Sequence, residues 1–331
     1  MLGGVLVSCL LFLALQAWWV LTPAPLIQSR SAVVEIPPHL SLVEVARRLD
    51  QAGVIRSPLG FILLSLARGS GRSLKAGEYE VPQGASTVAI LSLLEGGKVI
   101  QHQVVLREGS TVAELARALE AERLAPAADV LRVARDPRFL QTLDIPAESV
   151  EGYLFPDTYQ LVKGMAIEEM LARMVARTRE QVGPEILAQA LALDLTPHRL
   201  LTLASIIERE AAVASEMPLI SAVFWNRLKR DMPLQADPTV QYAVDQERRR
   251  PITRTDLQVD SPFNTYRRLG LPPGPIGSPG RAAIRAAVNP APVNYLYFVS
   301  IDDRHHHFSS TLSDHNAAVA RYRLSRPREG G

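Results

Sequence analysis

The 331-residue chain contains a single cysteine, Cys9. That excludes an internal disulfide framework and any cysteine-based zinc site. A body without cysteine is chemically safe in an oxidising compartment. Charge excess is also small: the formal net charge is +2 at pH 7. No long basic run accompanies it, so nothing points to a nucleic-acid partner. Glycine-rich nucleotide loops, a Gly-x-Ser-x-Gly elbow and a His-Glu-x-x-His helix are all missing. Lysine is scarce, and no lysine has the setting a pyridoxal phosphate enzyme needs. No cofactor is implied. What remains is an ordinary folded composition, 47% hydrophobic and 21% charged, long enough for two domains.

No charged side chain precedes Arg30. Leu2 to Leu21 is almost continuously apolar, about the twenty residues a membrane-spanning helix needs. Trp18 and Trp19 fall near its end, where aromatic rings favour the membrane–water interface, and Pro23 and Pro25 stop the helix. A cleaved signal peptide would carry a basic start and a shorter apolar stretch. The expectation is a retained anchor over 1–22 and a linker over 23–32.

A motif then occurs twice. Ile36, Glu44, Ala46 and Leu49 realign with Leu106, Glu114, Ala116 and Leu119 at a constant offset of seventy. In each copy a short β-rich stretch leads into Ser41 or Ser110-Thr111, then into an amphipathic helix. Glu44 and Glu114 stand where a capping box requires them. Between the copies, Gly77–Val81 is a predicted strand, and Ser86-Thr87 caps a helix that Gly96-Gly97 ends. Such units predict an α+β region over 33–124, either a structural spacer or a LysM-like carbohydrate-binding module.

Residues 126–183 are predicted helical apart from the loop Glu151–Tyr159. A helix from Pro197 carries Leu200, Leu203, Ala204, Ile207 and Ala211 on one face, and another runs from Met217 through Leu228. The stretch from Leu234 to Gly280 has few regular elements, and a loop that long in a compact domain is usually functional. Tyr295–Val299 is a predicted buried strand. The whole chain is therefore α+β, with an expected catalytic domain over 125–331.

At about 100° per residue, Glu208 sits at the margin of the apolar face of its helix while Glu210 points elsewhere. A carboxyl at that margin is partly desolvated and can hold a proton near neutrality, as a general acid must. Most helical glutamates are simply solvated, so the pattern alone does not decide. Nearby polar loops add Gln235, Asp237, Thr239, Asn264 and Tyr266: the amide, hydroxyl and aromatic groups of a sugar site. His305-His306-His307 has no companion ligand at metal spacing, so no metal site is assigned.

Several segments together resemble the MltG / YceG-like family of endolytic murein transglycosylases. They are Glu151–Tyr159, Leu203–Glu210, Leu234–Tyr242, Asn264-Thr265-Tyr266 with Gly270–Gly274, and the ending Tyr295–Val299 with His307-Phe308 and His315-Asn316. With the apolar start they cover nearly the whole chain. The resemblance implies a single-pass inner-membrane protein whose periplasmic catalytic domain follows a LysM-like region. It places the catalytic glutamate on Glu208, and the candidate substrate contacts are Tyr153, Gln235, Asp237, Thr239, Asn264 and Tyr266. It implies peptidoglycan glycan strands as substrate, cell-wall synthases as partners, and cleavage between N-acetylmuramic acid and N-acetylglucosamine to leave 1,6-anhydro ends. A hydrolytic muramidase using Asp237 as second carboxylate is one alternative. A non-catalytic murein-binding scaffold is the other.

Overall fold

A computed structural model describes Trp18, Thr22 and residues 31–71, 73–246, 250–302 and 304–325. The expected anchor over 1–22 lies outside these residues apart from Trp18 and Thr22. Among the described residues no single helix is long and apolar enough to cross a membrane. The chain forms two compact units, one running to Gln103 and including Gln160–Ala166, the other comprising Val104–Tyr159 and Ile167–Gly331.

In the first unit, β1 (Ala32–Ile36) pairs antiparallel with β2 (Gly77–Val81), with Val34 opposite Tyr79. Alternation puts Val34, Ile36, Tyr79 and Val81 on one buried face. Helices α1 (Leu42–Gln51), α2 (Pro58–Ala67) and α3 (Thr87–Gly96) supply the rest of this core, including Leu49, Phe61 and Ile90. Helix α3 stops at Gly97, which takes the left-handed φ of 64° that glycine adopts without a Cβ penalty.

Strand β3 (Gln101–Leu106) runs across the division after Gln103 and leads into α4 (Val112–Ala121) of the second unit. The repeat is visible in three dimensions. Ser41 with Glu44 and Thr111 with Glu114 each form the complete reciprocal capping box. Val34, Ile36, Val45, Ala46 and Leu49 are buried, and so are Val104, Leu106, Leu115, Ala116 and Leu119, seventy positions on. The two helices nevertheless belong to different units. Helix α4 packs on α5 (Ala127–Val133), and the two units divide after Gln103.

Helix α6 (Pro137–Thr142), strand β4 (Asp157–Val162) and α7 (Ile167–Ala192) follow. β4 pairs with β3, so Asp157–Tyr159 belong to a strand, not to the expected loop. Gly183 breaks α7 with φ 57° and ψ 170° just before Pro184. Helix α8 (Pro197–Glu210) starts at a Thr196 cap and ends one residue short of expectation, because Ala211 turns extended. Helix α9 (Met217–Leu228) matches its predicted span.

The Leu234–Gly280 stretch, expected to have few regular elements, holds an α-helix, α10 (Asp237–Val244), so Asp237 and Thr239 are helical. Helix α11 (Arg281–Val288) packs on α8. The predicted strand at 295–299 is shifted to β5 (Tyr297–Ser300), half-buried, and pairs antiparallel with β6 (His306–Ser309). Helix α12 (Leu312–Ser325) follows.

Candidate functional site

The last turn of α8 carries Glu208, Arg209 and Glu210, just beyond a fully buried run from Leu200 to Ile207. Core packing therefore fixes the helix, and its carboxyls emerge where burial ends. The segment 276–280 is fastened alongside. Ser205 Oγ accepts the Ile276 N–H at 3.0 Å, and Arg209 Nη1 donates to the Ile276 carbonyl at 2.8 Å. Gly109 N–H donates to Ser278 O, and Ser278 N–H donates to Ser110 O, each at 2.8 Å. The turn before α4 and the turn before α11 thus pair reciprocally beside the end of α8. Gly277 permits this approach, since a Cβ there would stand 2.7 Å from the Gly109 oxygen.

Glu208 Oε2 accepts the Gly280 N–H at 2.8 Å. Its other carboxyl oxygen has no hydrogen bond among the described residues. Desolvation pushes this half-buried carboxyl up to about 7, the Gly280 N–H opposes the shift, and the Glu108 charge adds to it. A group titrating there can both give and take a proton near neutrality.

Glu210, two residues on, has a different environment. Desolvation and the nearby Asp237 carboxylate raise it to about 8, against the Asp237 N–H and the Arg227 and Arg209 charges. Tyr266 Oη donates to Asp237 Oδ1 at 2.5 Å. Arg227 is buried and donates to the carbonyls of Leu296 (2.7 Å) and Leu234 (2.8 Å) and to Gln235 Oε1 (3.3 Å). So Asp237, Tyr266, Gln235 and Glu210 form one group around Arg227.

The other expected residues fall elsewhere. Thr239 and Asn264 are fully buried. Thr239 Oγ1 bonds the Ala236 carbonyl and Thr265 Oγ1, while Asn264 Nδ2 donates to Leu257 O and Val259 O. Their polar atoms are spent on the loop. Tyr153 is 8% exposed, and its hydroxyl lies 2.8 Å from His198 Nδ1. Since His198 Nε2 faces the Pro273 carbonyl at 2.7 Å, Nε2 carries the hydrogen and Tyr153 donates to Nδ1. A cleft of about 730 Å³ opens beside this pair, lined by Arg135, Glu151, His198, Tyr242, Gln246 and Phe263.

Neither Glu108 nor Gly280, whose charge and N–H act on the Glu208 carboxyl, was assigned a role from the sequence. A signal was available: Glu108-Gly109 stands seventy positions after Pro38-His39, and both Gly109 and His39 have positive φ. The same turn recurs, but only the second copy carries an acid. The histidine run likewise gains a partner only in three dimensions: His306 Nδ1 lies 2.7 Å from Glu216 Oε2.

The fold is α+β, and the site presents a half-buried carboxyl at a helix end. The chain belongs to the YceG-like family, which matches it over residues 34–321. It is 32% identical over 305 residues to the endolytic murein transglycosylase of Bacillus subtilis (strain 168), covering 87% of this chain and 84% of that one. It is 30% identical over 333 residues to the endolytic murein transglycosylase of Streptococcus pneumoniae serotype 2 (strain D39 / NCTC 7466). That alignment covers 91% of this chain and 60% of the longer relative. A crystal structure of a yceG-like protein from Listeria monocytogenes matches with a TM-score of 0.62 at 32% identity, covering 88% of this chain and 99% of that one.

Proposed function

We propose that this chain is an endolytic murein transglycosylase with Glu208 as its acid/base. The observation that carries the reading is the Glu208 carboxyl, held by one backbone N–H at the rim of a buried helix and raised to about 7. Protonated Glu208 donates to the glycosidic oxygen leaving C1 of N-acetylmuramic acid, and the N-acetyl carbonyl assists at C1. The resulting carboxylate takes the proton from the C6 hydroxyl, whose oxygen bonds C1. One C–O bond breaks, one forms, and no water is consumed.

Asp237, Gln235 and Tyr266 are the substrate-facing members of this reading. Thr239, Asn264 and Tyr153 hold the surrounding loops in place. A muramidase that uses Asp237 to hold water is less well supported, because Asp237 is engaged with Tyr266 and Glu210. The anchor over 1–22, the periplasmic placement, a glycan-binding role for the LysM-like first unit and contact with cell-wall synthases complete the proposal.

Digestion of purified sacculi by the full chain, beside Glu208→Gln, tests it by mass spectrometry of the fragments. Internal fragments ending in 1,6-anhydromuramic acid, absent with the variant, are expected. Reducing ends would overturn the transglycosylase reading. A variant as active as the parent would overturn the role of Glu208.

A further inference from the structure

Glu108 lies in the turn before α4, and Gly280 brings it to Glu208. The Gly280 N–H donates to Glu208 Oε2 at 2.8 Å, while a Cβ built on Gly280 would stand 2.0 Å from Glu108 Oε1. With standard backbone bond lengths, the two carboxyl groups are at most about 7 Å apart. Glu108 is exposed, and its carboxylate has no hydrogen bond or ion pair among the described residues. The reciprocal bonds between Gly109, Ser110 and Ser278 fix the turn that carries it.

We propose that Glu108 is the second carboxylate of the active site, a negative charge that faces the substrate beside Glu208. This rests on the transglycosylase reading above. As the glycosidic bond breaks, C1 and the ring oxygen gain positive charge. A carboxylate within several ångströms stabilises that charge in a partly desolvated site. The same charge disfavours ionisation of Glu208 and keeps it loaded with its proton.

The remaining charges around Glu208 are directed elsewhere. Arg209 reaches the Ile276 carbonyl, and Glu210 takes the Asp237 N–H. Arg281 on α11 is exposed and donates to Gln181, and Arg107 is exposed. Glu108 is the neighbour whose charge bears on Glu208.

Two variants test the proposal. Glu108→Gln removes the charge. Gly280→Ala keeps it but drives the carboxylate away, because the new methyl occupies its place, while a φ of −78° accommodates alanine. For Glu108→Gln, kcat on sacculi is expected to fall on the order of ten- to a hundredfold with little change in KM. The alkaline limb of its pH profile should move down. Gly280→Ala should change both in the same direction, and Glu108→Asp should recover part of the loss. The pH dependence of carbodiimide labelling at Glu208, read by peptide mass spectrometry, reports its titration without turnover. If Glu208 labels with the same profile in parent and Glu108→Gln, or kcat is unchanged, the proposal is overturned. A parent that yields no anhydro ends, with the labelling profile shifted as expected, would sink the transglycosylase reading and leave the carboxylate pair standing.

Discussion

Both carboxylate oxygens of Glu151 lie 3.2 Å from the backbone nitrogen of Val112 and share its N–H. Val112 opens α4, so its N–H is among those a helix leaves without an internal partner. Glu151 is 5% exposed. Burial raises it to about 7, although the Val112 N–H, the Arg209 charge and the Tyr242 hydroxyl all pull it down. The folded protein therefore holds a proton between roughly pH 4.5 and 7 that the unfolded chain has released, and stability falls as pH rises through that window. The difference for this one carboxyl is on the order of 3 kcal/mol. Glu151→Gln should melt like the parent near pH 5 and above it near pH 8. A thermal-melt series across that range checks this, and parallel curves for the two proteins would refute it.

How far the sequence carried the reading depended on distance along the chain. The capping boxes of α1 and α4 were legible because Ser41 with Glu44, and Thr111 with Glu114, are three residues apart. Glu208 was legible as a position on a helix face. Its pairing with Glu108 was not, because it depends on Gly109 and Ser110 meeting Ser278, a contact no local pattern encodes. Helix α10 was hidden by the proline- and glycine-rich composition around it, although Asp237-Pro238 is a helix start in its own right. Helix α2 was overlooked for another reason. Its residues are apolar nearly all round, so they show no 3.6-residue period, and only the Ser57 cap and Pro58 mark its start.

Tyr153 was expected at the substrate, yet its hydroxyl is committed to His198. Tyr153→Phe leaves His198 Nδ1 without its donor while keeping the ring in place. The expected cost is about 1–2 kcal/mol of stability, with KM for glycan close to that of the parent. Denaturant unfolding and steady-state kinetics on the same preparation separate the roles. A raised KM with unchanged stability would make Tyr153 a sugar ligand after all.

Asn264 allows a sharper substitution. Its Nδ2 donates to the Leu257 and Val259 carbonyls at 3.0 and 2.9 Å, and its Oδ1 accepts the Tyr266 N–H at 3.0 Å. Asn264→Asp keeps the shape but turns a double donor into an acceptor facing two carbonyl oxygens. In a fully buried position that costs roughly 2–4 kcal/mol at neutral pH. Part should return on acidification, as the carboxyl protonates and regains one donor. Chemical denaturation at pH 7 and pH 4.5 measures both, and a variant as stable as the parent at pH 7 would show that Asn264 does not hold this loop.

Gly152 should couple fold to activity most directly. Its φ is +74°, and a Cβ there would stand 2.1 Å from Pro275 Cβ and 2.6 Å from Pro275 Cγ. Pro275 precedes Ile276, whose N–H and carbonyl are both held by α8 next to Glu208. Gly152→Ala therefore has two costs, a left-handed alanine and a collision with a ring that cannot rotate aside. Together they amount to about 2–5 kcal/mol, and relief by moving Pro275 would shift the segment that carries Gly280. Gly270 provides the control: its φ is +79° with nothing within 4 Å of the added Cβ, so Gly270→Ala has the backbone cost alone, about 1–2 kcal/mol. Melting temperature and sacculus digestion should both fall further for Gly152→Ala than for Gly270→Ala. Equal losses in the two variants would mean that Pro275 yields freely, and that the 272–280 segment does not need Gly152 to keep Gly280 on Glu208.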